Sequence, residues 1–167
     1  MYVLAGKYNV LVHEFKHWLV SGLVGNRFKS LKVGEQSGHF SYSYSRRTAA
    51  YNAFIAVAPY CIPLFTFVFL LVSLAGWRHD RNTVALLIGI GYGADIVMNL
   101  RDISPRQTDL TYIRGGFWVG LTYVAAANLS FSSLLLAWIL QGWNGLKLVL
   151  IALWQIVTYF IIHGLYA

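Results

Sequence analysis

Apolar residues fall in five long runs, at positions 3–24, 50–75, 83–100, 116–140 and 146–166, with polar segments between them. A helix needs about 20 residues to cross a bilayer, so each run is long enough or nearly so. The first run is broken by Lys7 and by the group His13, Glu14, Lys16 and His17, and Gly25-Asn26 ends it as a helix stop. The second carries Pro59 and Pro63, which predict a kink or an opened backbone whose freed carbonyls must be satisfied by protein or a polar cavity. The third contains Gly89, Gly91 and Gly93. No strand precedes them, so they predict close helix packing rather than a dinucleotide loop. The fourth and fifth are joined by Gln141-Gly142-Trp143-Asn144-Gly145.

Between the first two runs the period changes. In residues 27–47, Leu31 and Val33 alternate with polar neighbours, and a Gly-bounded turn follows. Then Phe40, Tyr42 and Tyr44 alternate with polar residues. Period two with a central turn predicts a β-hairpin. Its open edges place it at the membrane surface, away from lipid tails. Residues 101–114 are polar and contain Pro105. The pattern as a whole predicts a membrane all-α fold with a small β-hairpin, about five transmembrane helices in one integral membrane domain over residues 1–167.

Composition strengthens the membrane reading. Of 167 residues, 57% are hydrophobic and only 11% charged, against about a quarter charged in soluble domains. The net charge of +7 could point to nucleic acid. Most basic residues fall in the segments between apolar runs, however, where topology and anionic lipid account for them, so no nucleic-acid partner is expected. Arg27, Lys29, Lys32, Arg46, Arg47, Arg101, Arg106 and Arg114 lie in segments 25–49 and 101–114, against Lys7, Arg78, Arg81 and Lys147 on the other side. That bias predicts both segments in the cytoplasm and the N-terminus outside. The single cysteine, Cys61, excludes an internal disulfide.

The chemistry sits in the first run. His13-Glu14-Phe15-Lys16-His17 reads as H-E-x-x-H. On a helix, two histidines four apart share a face and can share one metal ion, and the adjacent glutamate can take a proton from metal-bound water. Ionisable side chains inside a membrane segment are costly, so the cluster predicts an intramembrane metal site around which the helices are arranged. A catalytic zinc takes three protein ligands and keeps a fourth position for water. Glu35, Asp95, Asp102 and Asp109 are the candidates for the third; Asp95 could instead support a histidine ring N–H. Lys16 is expected to reach water or to pair with Asp95 or an aspartate of 101–109. His163, alone on its helix, is read as packed or interfacial.

These residues resemble a family. His13-Glu14-x-x-His17 in a first core helix, a Gly-punctuated β segment, a helix containing Ala58-Pro59, and Asn99-x-x-Asp102, Pro105 and Asp109 after a third helix look like site-2 proteases, which are intramembrane zinc metalloproteases. The resemblance covers about residues 8–110. It implies Zn2+ as cofactor, His13 and His17 as ligands and Glu14 as catalytic base. Thr108-Asp109-Leu110 is the closest match to the family's Leu-Asp-Gly, which makes Asp109 the third ligand, with Asp102 as the alternative. Asn99 matches the family's substrate-positioning Asn. The chain departs from the pattern at Lys16, where a Gly is frequent, at Leu110, where the Gly follows Asp, and in the ten-residue spacing from Asn99 to Asp109.

The resulting expectation is a multi-pass integral membrane protein that hydrolyses peptide bonds of membrane-protein or peptide substrates in contact with the lipid bilayer. The aromatic strand of Phe40, Tyr42 and Tyr44 would align an extended substrate by β-addition. The helices of 116–166 carry no implied chemistry. The alternative is a non-catalytic pseudoprotease that binds membrane clients. An ion carrier using the intramembrane charges is a third reading, opposed by the lack of an inverted repeat.

Overall fold

The computed structural model describes residues 6–35, 37–76 and 80–164. Residues 3–5 of the first expected helix, Gln36 in the hairpin turn, Trp77–His79 (with Arg78 of the charge count), residues 165–166 and the side chain of His163 lie outside the described residues.

The chain is mostly helical, with one two-stranded sheet. Helix α1 spans Lys7–Leu23 and ends as the sequence predicts. Gly25 takes φ +81, its N–H reaches the Gly22 carbonyl, and the Asn26 N–H reaches the Ser21 carbonyl. This is a Schellman stop, which favours glycine at the left-handed position. Strands β1 (Arg27–Val33) and β2 (Gly38–Ser43) then pair antiparallel, with Leu31 opposite Phe40 and an irregularity between Phe28 and Ser30. The expected aromatic face is present: the Phe40 and Tyr42 rings lie 5.4 Å apart, and Tyr42 and Tyr44 6.1 Å. The hairpin does not lie beyond the end of α1. It folds back along it, so that Gly38 meets Val10 and Glu14 while Phe40 stacks on His17.

The expected single helix over 50–75 is two helices, α2 (Asn52–Cys61) and α3 (Leu64–Gly76), which follow a short 3-10 turn at Ala49–Tyr51 and are bent by 66° at their break. Proline explains the break, because neither Pro59 nor Pro63 has an N–H to return to the carbonyl four residues earlier. Side chains meet several of the backbone groups at the break. The Tyr60 carbonyl accepts from Asn99 at 2.8 Å and from Asn128 at 2.9 Å. The Thr66 N–H and hydroxyl both donate to Asp95 Oδ2 at 2.8 Å, and the Phe65 N–H donates to Oδ1 at 3.3 Å. Asp95 therefore caps α3 from a neighbouring helix and is not a partner for a histidine.

That neighbour is α4 (Arg81–Asp102), started by Asp80, whose carboxylate accepts the Asn82 and Thr83 N–H groups. Of the three glycines in α4, only Gly91 meets a neighbour: a Cβ there would lie 2.8 Å from the Phe69 ring and 3.0 Å from the Phe65 carbonyl oxygen. A Cβ on Gly89 or Gly93 would have nothing within 4 Å, so two of the three do not serve the packing expected of them.

The polar segment 101–114 contains a short helix, α5 (Thr108–Thr111). Leu110 is fully buried there, against Val57, Tyr60 and Val124. Helices α6 (Gly116–Gln141) and α7 (Trp143–Gly164) are separated by Gly142 alone, at φ 57, rather than by a five-residue link. A second apolar cluster of Val84, Ile88, Leu135 and Trp138 ties α4 to α6.

Among the described residues, α4 and α6 are each long and apolar enough to cross a membrane, and the bent α2–α3 pair makes up to a third span. This falls short of the five spans expected; α1 is short, with only 17 residues, and carries the ionisable cluster. Over the site, α1 and α4 run in opposite directions. Lys16 meets Asp95, and Asn9 and His13 meet Asp102. Five alternating spans would have set these two helices in the same direction.

Candidate metal centre

His13 and His17 stand one turn apart on α1, as their spacing requires. Both present Nε2 to the same oxygen, Asp109 Oδ2, at 3.1 Å and 3.2 Å. These three residues form the only cluster among the described residues that could hold a metal ion. Of the four third-ligand candidates, Asp109 joins the histidines. Asp102 holds the far side of one of them, with Oδ2 3.3 Å from His13 Nδ1, and accepts from Asn9 through Oδ1 at 3.0 Å. Glu35 lines the same cavity without joining the cluster.

Leu110 explains how Asp109 reaches the site. It fills the place where the family pattern has Gly, and its buried side chain pins α5 between α2 and α6. The flanking carboxylate of Asp109 then faces α1. Burial works against the Asp109 charge, but the two imidazoles beside it outweigh burial and hold its carboxyl well below the usual carboxylate range.

The donor chemistry fits a cation. His17 Nδ1 lies 2.7 Å from the Ile55 carbonyl oxygen. A carbonyl only accepts, so Nδ1 carries the proton. In the neutral ring Nε2 then presents a lone pair, and it presents it to a carboxylate oxygen. The two atoms stand 3.2 Å apart, a contact that needs a positive charge between them, a ring proton or a metal ion. Ligands bound at about 2.0–2.1 Å to a tetrahedral zinc stand about 3.3 Å apart, close to the separations here. Both histidines also have the outer hydrogen-bond partner typical of metal-bound imidazole, Asp102 for one and a backbone carbonyl for the other.

Glu14 is buried and lines a cavity of about 730 Å³ together with His13, His17 and Asp109. Gly38 makes room for it: a Cβ at that position would lie 2.5 Å from Glu14 Cγ and Oε1. β2 supplies Phe40 and Tyr42 to the cavity wall. The Phe40 ring lies parallel to that of His17 at 6.4 Å, and the Tyr42 hydroxyl donates to Asn52 at 3.2 Å. Tyr44 continues the aromatic ladder but is exposed and does not line the cavity. Asn99 is buried away from the cavity, on the Tyr60 carbonyl.

Lys16 does not reach water. It is 2% exposed, with Nζ 3.0 Å from the Pro59 carbonyl oxygen and 3.7 Å from Asp95 Oδ1. The sequence indicated the pairing, but not the carbonyl. Asn9 and Gly38 were missed altogether. The signal for Asn9 was available: it lies four residues before His13, on the same helix face.

Comparison with known proteins gives the family. A family model described as Peptidase M50B-like matches residues 4–164, and it bears out the resemblance to site-2 proteases. No curated protein and no solved structure matches the chain. The family is one of peptidases, and the match spans both the histidine helix and the α5 aspartate, so the chain belongs to the Peptidase M50B-like family.

Proposed function

We propose that this chain is an intramembrane zinc metalloendopeptidase acting on membrane-protein or peptide substrates. The observation that carries the reading is the convergence of two Nε2 atoms and one carboxylate oxygen beside a buried glutamate in a single cavity. His13, His17 and Asp109 would hold Zn2+. The ion supplies a Lewis acid that lowers the pKa of a water molecule and polarises a carbonyl.

The chain's own residues supply the rest. Glu14 accepts a proton from the attacking water at its carboxylate. The water oxygen bonds to the scissile carbon, the C–N bond breaks, and Glu14 returns the proton to the leaving nitrogen, giving a carboxylate and an amine. Asp102 and the Ile55 carbonyl orient the imidazoles. A substrate helix hides its carbonyls in its own hydrogen bonds and must unwind before it is cut. β2 borders the cavity, and its Phe40 and Tyr42, with Tyr44 continuing the aromatic row just beyond the strand, would receive the unwound substrate. Asn99 would act on substrate position indirectly, by fixing the α2–α3 break.

The test measures zinc per chain and cleavage together. Wild type should carry about one zinc, lost in His13→Ala and in Asp109→Ala. Glu14→Gln should keep zinc and lose about 10²- to 10⁴-fold in cleavage rate. Full cleavage by Glu14→Gln would remove its role as base. Wild type purified without chelators and free of zinc would turn the reading to the pseudoprotease.

A further inference from the structure

A proline inside a helix is expensive, because it removes a backbone hydrogen bond and crowds the preceding turn. Pro59 lies inside α2, two residues before its last. Pro63 has an ordinary explanation, because it immediately precedes the first residue of α3, where proline is well tolerated. Pro59 is followed by two more residues of α2, so it does not mark a helix end by itself.

What it does is release a carbonyl. In an uninterrupted α-helix the Ile55 oxygen would accept the N–H of residue 59. Proline has none, and its ring pushes the carbonyl four residues earlier outward. The Ile55 carbonyl is the partner of His17 Nδ1, at 2.7 Å. The same device recurs one turn later: Pro63 cannot donate to the Pro59 carbonyl, and that oxygen takes Lys16 Nζ at 3.0 Å. Two prolines four apart thus offer two freed carbonyls to two consecutive residues of α1.

We infer that Pro59 is a positioning residue of the metal site: by withholding its N–H it leaves the Ile55 carbonyl to His17 Nδ1, which fixes the ring with Nε2 toward Asp109. Pro63 does the same for Lys16 and thereby docks α1 against the α2–α3 break. The inference rests on His17 being a metal ligand. It adds that an atom missing from α2 selects which nitrogen of that ligand faces the ion.

The test uses Pro59→Ala and Pro63→Ala in the full chain, with two readouts. The first is zinc affinity by chelator competition. Pro59→Ala restores a rival donor for the Ile55 carbonyl, so zinc should bind about 10- to 100-fold more weakly, the range for loss of an outer partner of a metal ligand. The thermal midpoint of the metal-free protein should hold or rise, because alanine favours the helix. A proline that only shapes the fold would lower the midpoint and spare the affinity of the folded fraction. Pro63→Ala should weaken zinc less, since it touches no ligand directly.

The second readout needs no variant. Nitrogen NMR of the histidine side chains in zinc-loaded wild type should show His17 bound through Nε2 with a proton on Nδ1. Binding through Nδ1 overturns the inference, as does unchanged zinc affinity in a folded Pro59→Ala. If wild type binds no zinc, the metalloprotease reading fails first and the inference falls with it. If wild type binds zinc and Pro59→Ala binds it equally, the inference alone falls.

Discussion

The half of the molecule built from α1, α2 and α5 and the half built from α6 and α7 are both helical and apolar, yet they are held together differently. In the first, side chains reach across to backbone groups: His17 to Ile55, Lys16 to Pro59, Asn99 to Tyr60. In the second, most side-chain hydrogen bonds return to the same helix one turn earlier, as from Thr122 to Trp118 and Ser133 to Leu129. The contact with α4 there is mainly apolar, through Leu135 and Trp138. Much of the apolar surface of α7, including Leu150, Trp154 and Ile161, is exposed. A region without water or lipid to satisfy its broken backbone must supply its own partners, and each partner then has one permitted position. Such a region is rigid where it is complete and fragile where one member is removed. The α6–α7 half has fewer such cross-helix bonds to lose.

The largest difference should appear at Lys16. Lys16→Met keeps most of the volume but leaves Asp95 buried without its cation and the Pro59 carbonyl without a donor. Breaking a buried pair from one side costs about 3–5 kcal/mol. Thermal unfolding should show that loss, and the double variant Lys16→Met/Asp95→Asn should recover part of it. A single variant as stable as wild type would break the comparison at its strongest point. Next is Leu110→Ala, which empties a fully buried site beneath α5. It should cost about 2–5 kcal/mol. Unlike a cavity elsewhere, it should also weaken zinc, because Asp109 hangs on the helix that Leu110 anchors. Retained affinity in a destabilised Leu110→Ala protein would mean that Asp109 is held by the histidines and not by its own helix.

The sequence made the α1 site readable because its information is local. Histidines four apart share a face whatever surrounds the helix, and Gly25-Asn26 stops α1 without outside help. The hairpin was equally legible, since period two is a property of seven residues at a time. The partners of freed groups were not. Pro59 and Pro63 announced a break, but which side chains would fill it depended on the path of α4 and on the fold-back of the hairpin. Asp95 shows the limit most clearly: an acid inside an apolar helix suggests chemistry, and here it caps another helix. Asp109 could be ranked above Asp102 only by resemblance, because the two differ by which face of His13 they approach, and no spacing rule encodes that.

The α6–α7 half offers a smaller test. Gly145 on α7 packs so closely on α6 that a Cβ would lie 2.1 Å from the Ala137 carbonyl oxygen. Backbone cannot yield as a side-chain tip can, so Gly145→Ala should cost about 1–3 kcal/mol through overpacking. Zinc affinity and cleavage should be unaffected in the folded protein. A loss of zinc would show that the two halves are coupled.

The smallest effect is expected at Asp80, and its value lies in its sign. The Asp80 carboxylate caps α4, and hydrogen bonds from the Thr83 hydroxyl and the Asn82 and Thr83 backbone hold its pKa below the ordinary carboxylate range. A group whose folded pKa is depressed stabilises the protein above its unfolded value, near 3.9, and loses that contribution as pH falls through the folded one. Asp80→Ala should therefore lower the thermal midpoint slightly at neutral pH, and the gap from wild type should close on acidification below about pH 4. The start of α4 lies more than three turns from Asp95, while the site meets α4 only from Asp95 onward, so zinc binding should be the same in both proteins at neutral pH. A gap that widened in acid would mean that the cap acts through its protonated form. A change in zinc affinity would mean that strain at one end of α4 is carried along the helix to Asp95 and Asp102, and that the site is less self-contained than its hydrogen bonds imply.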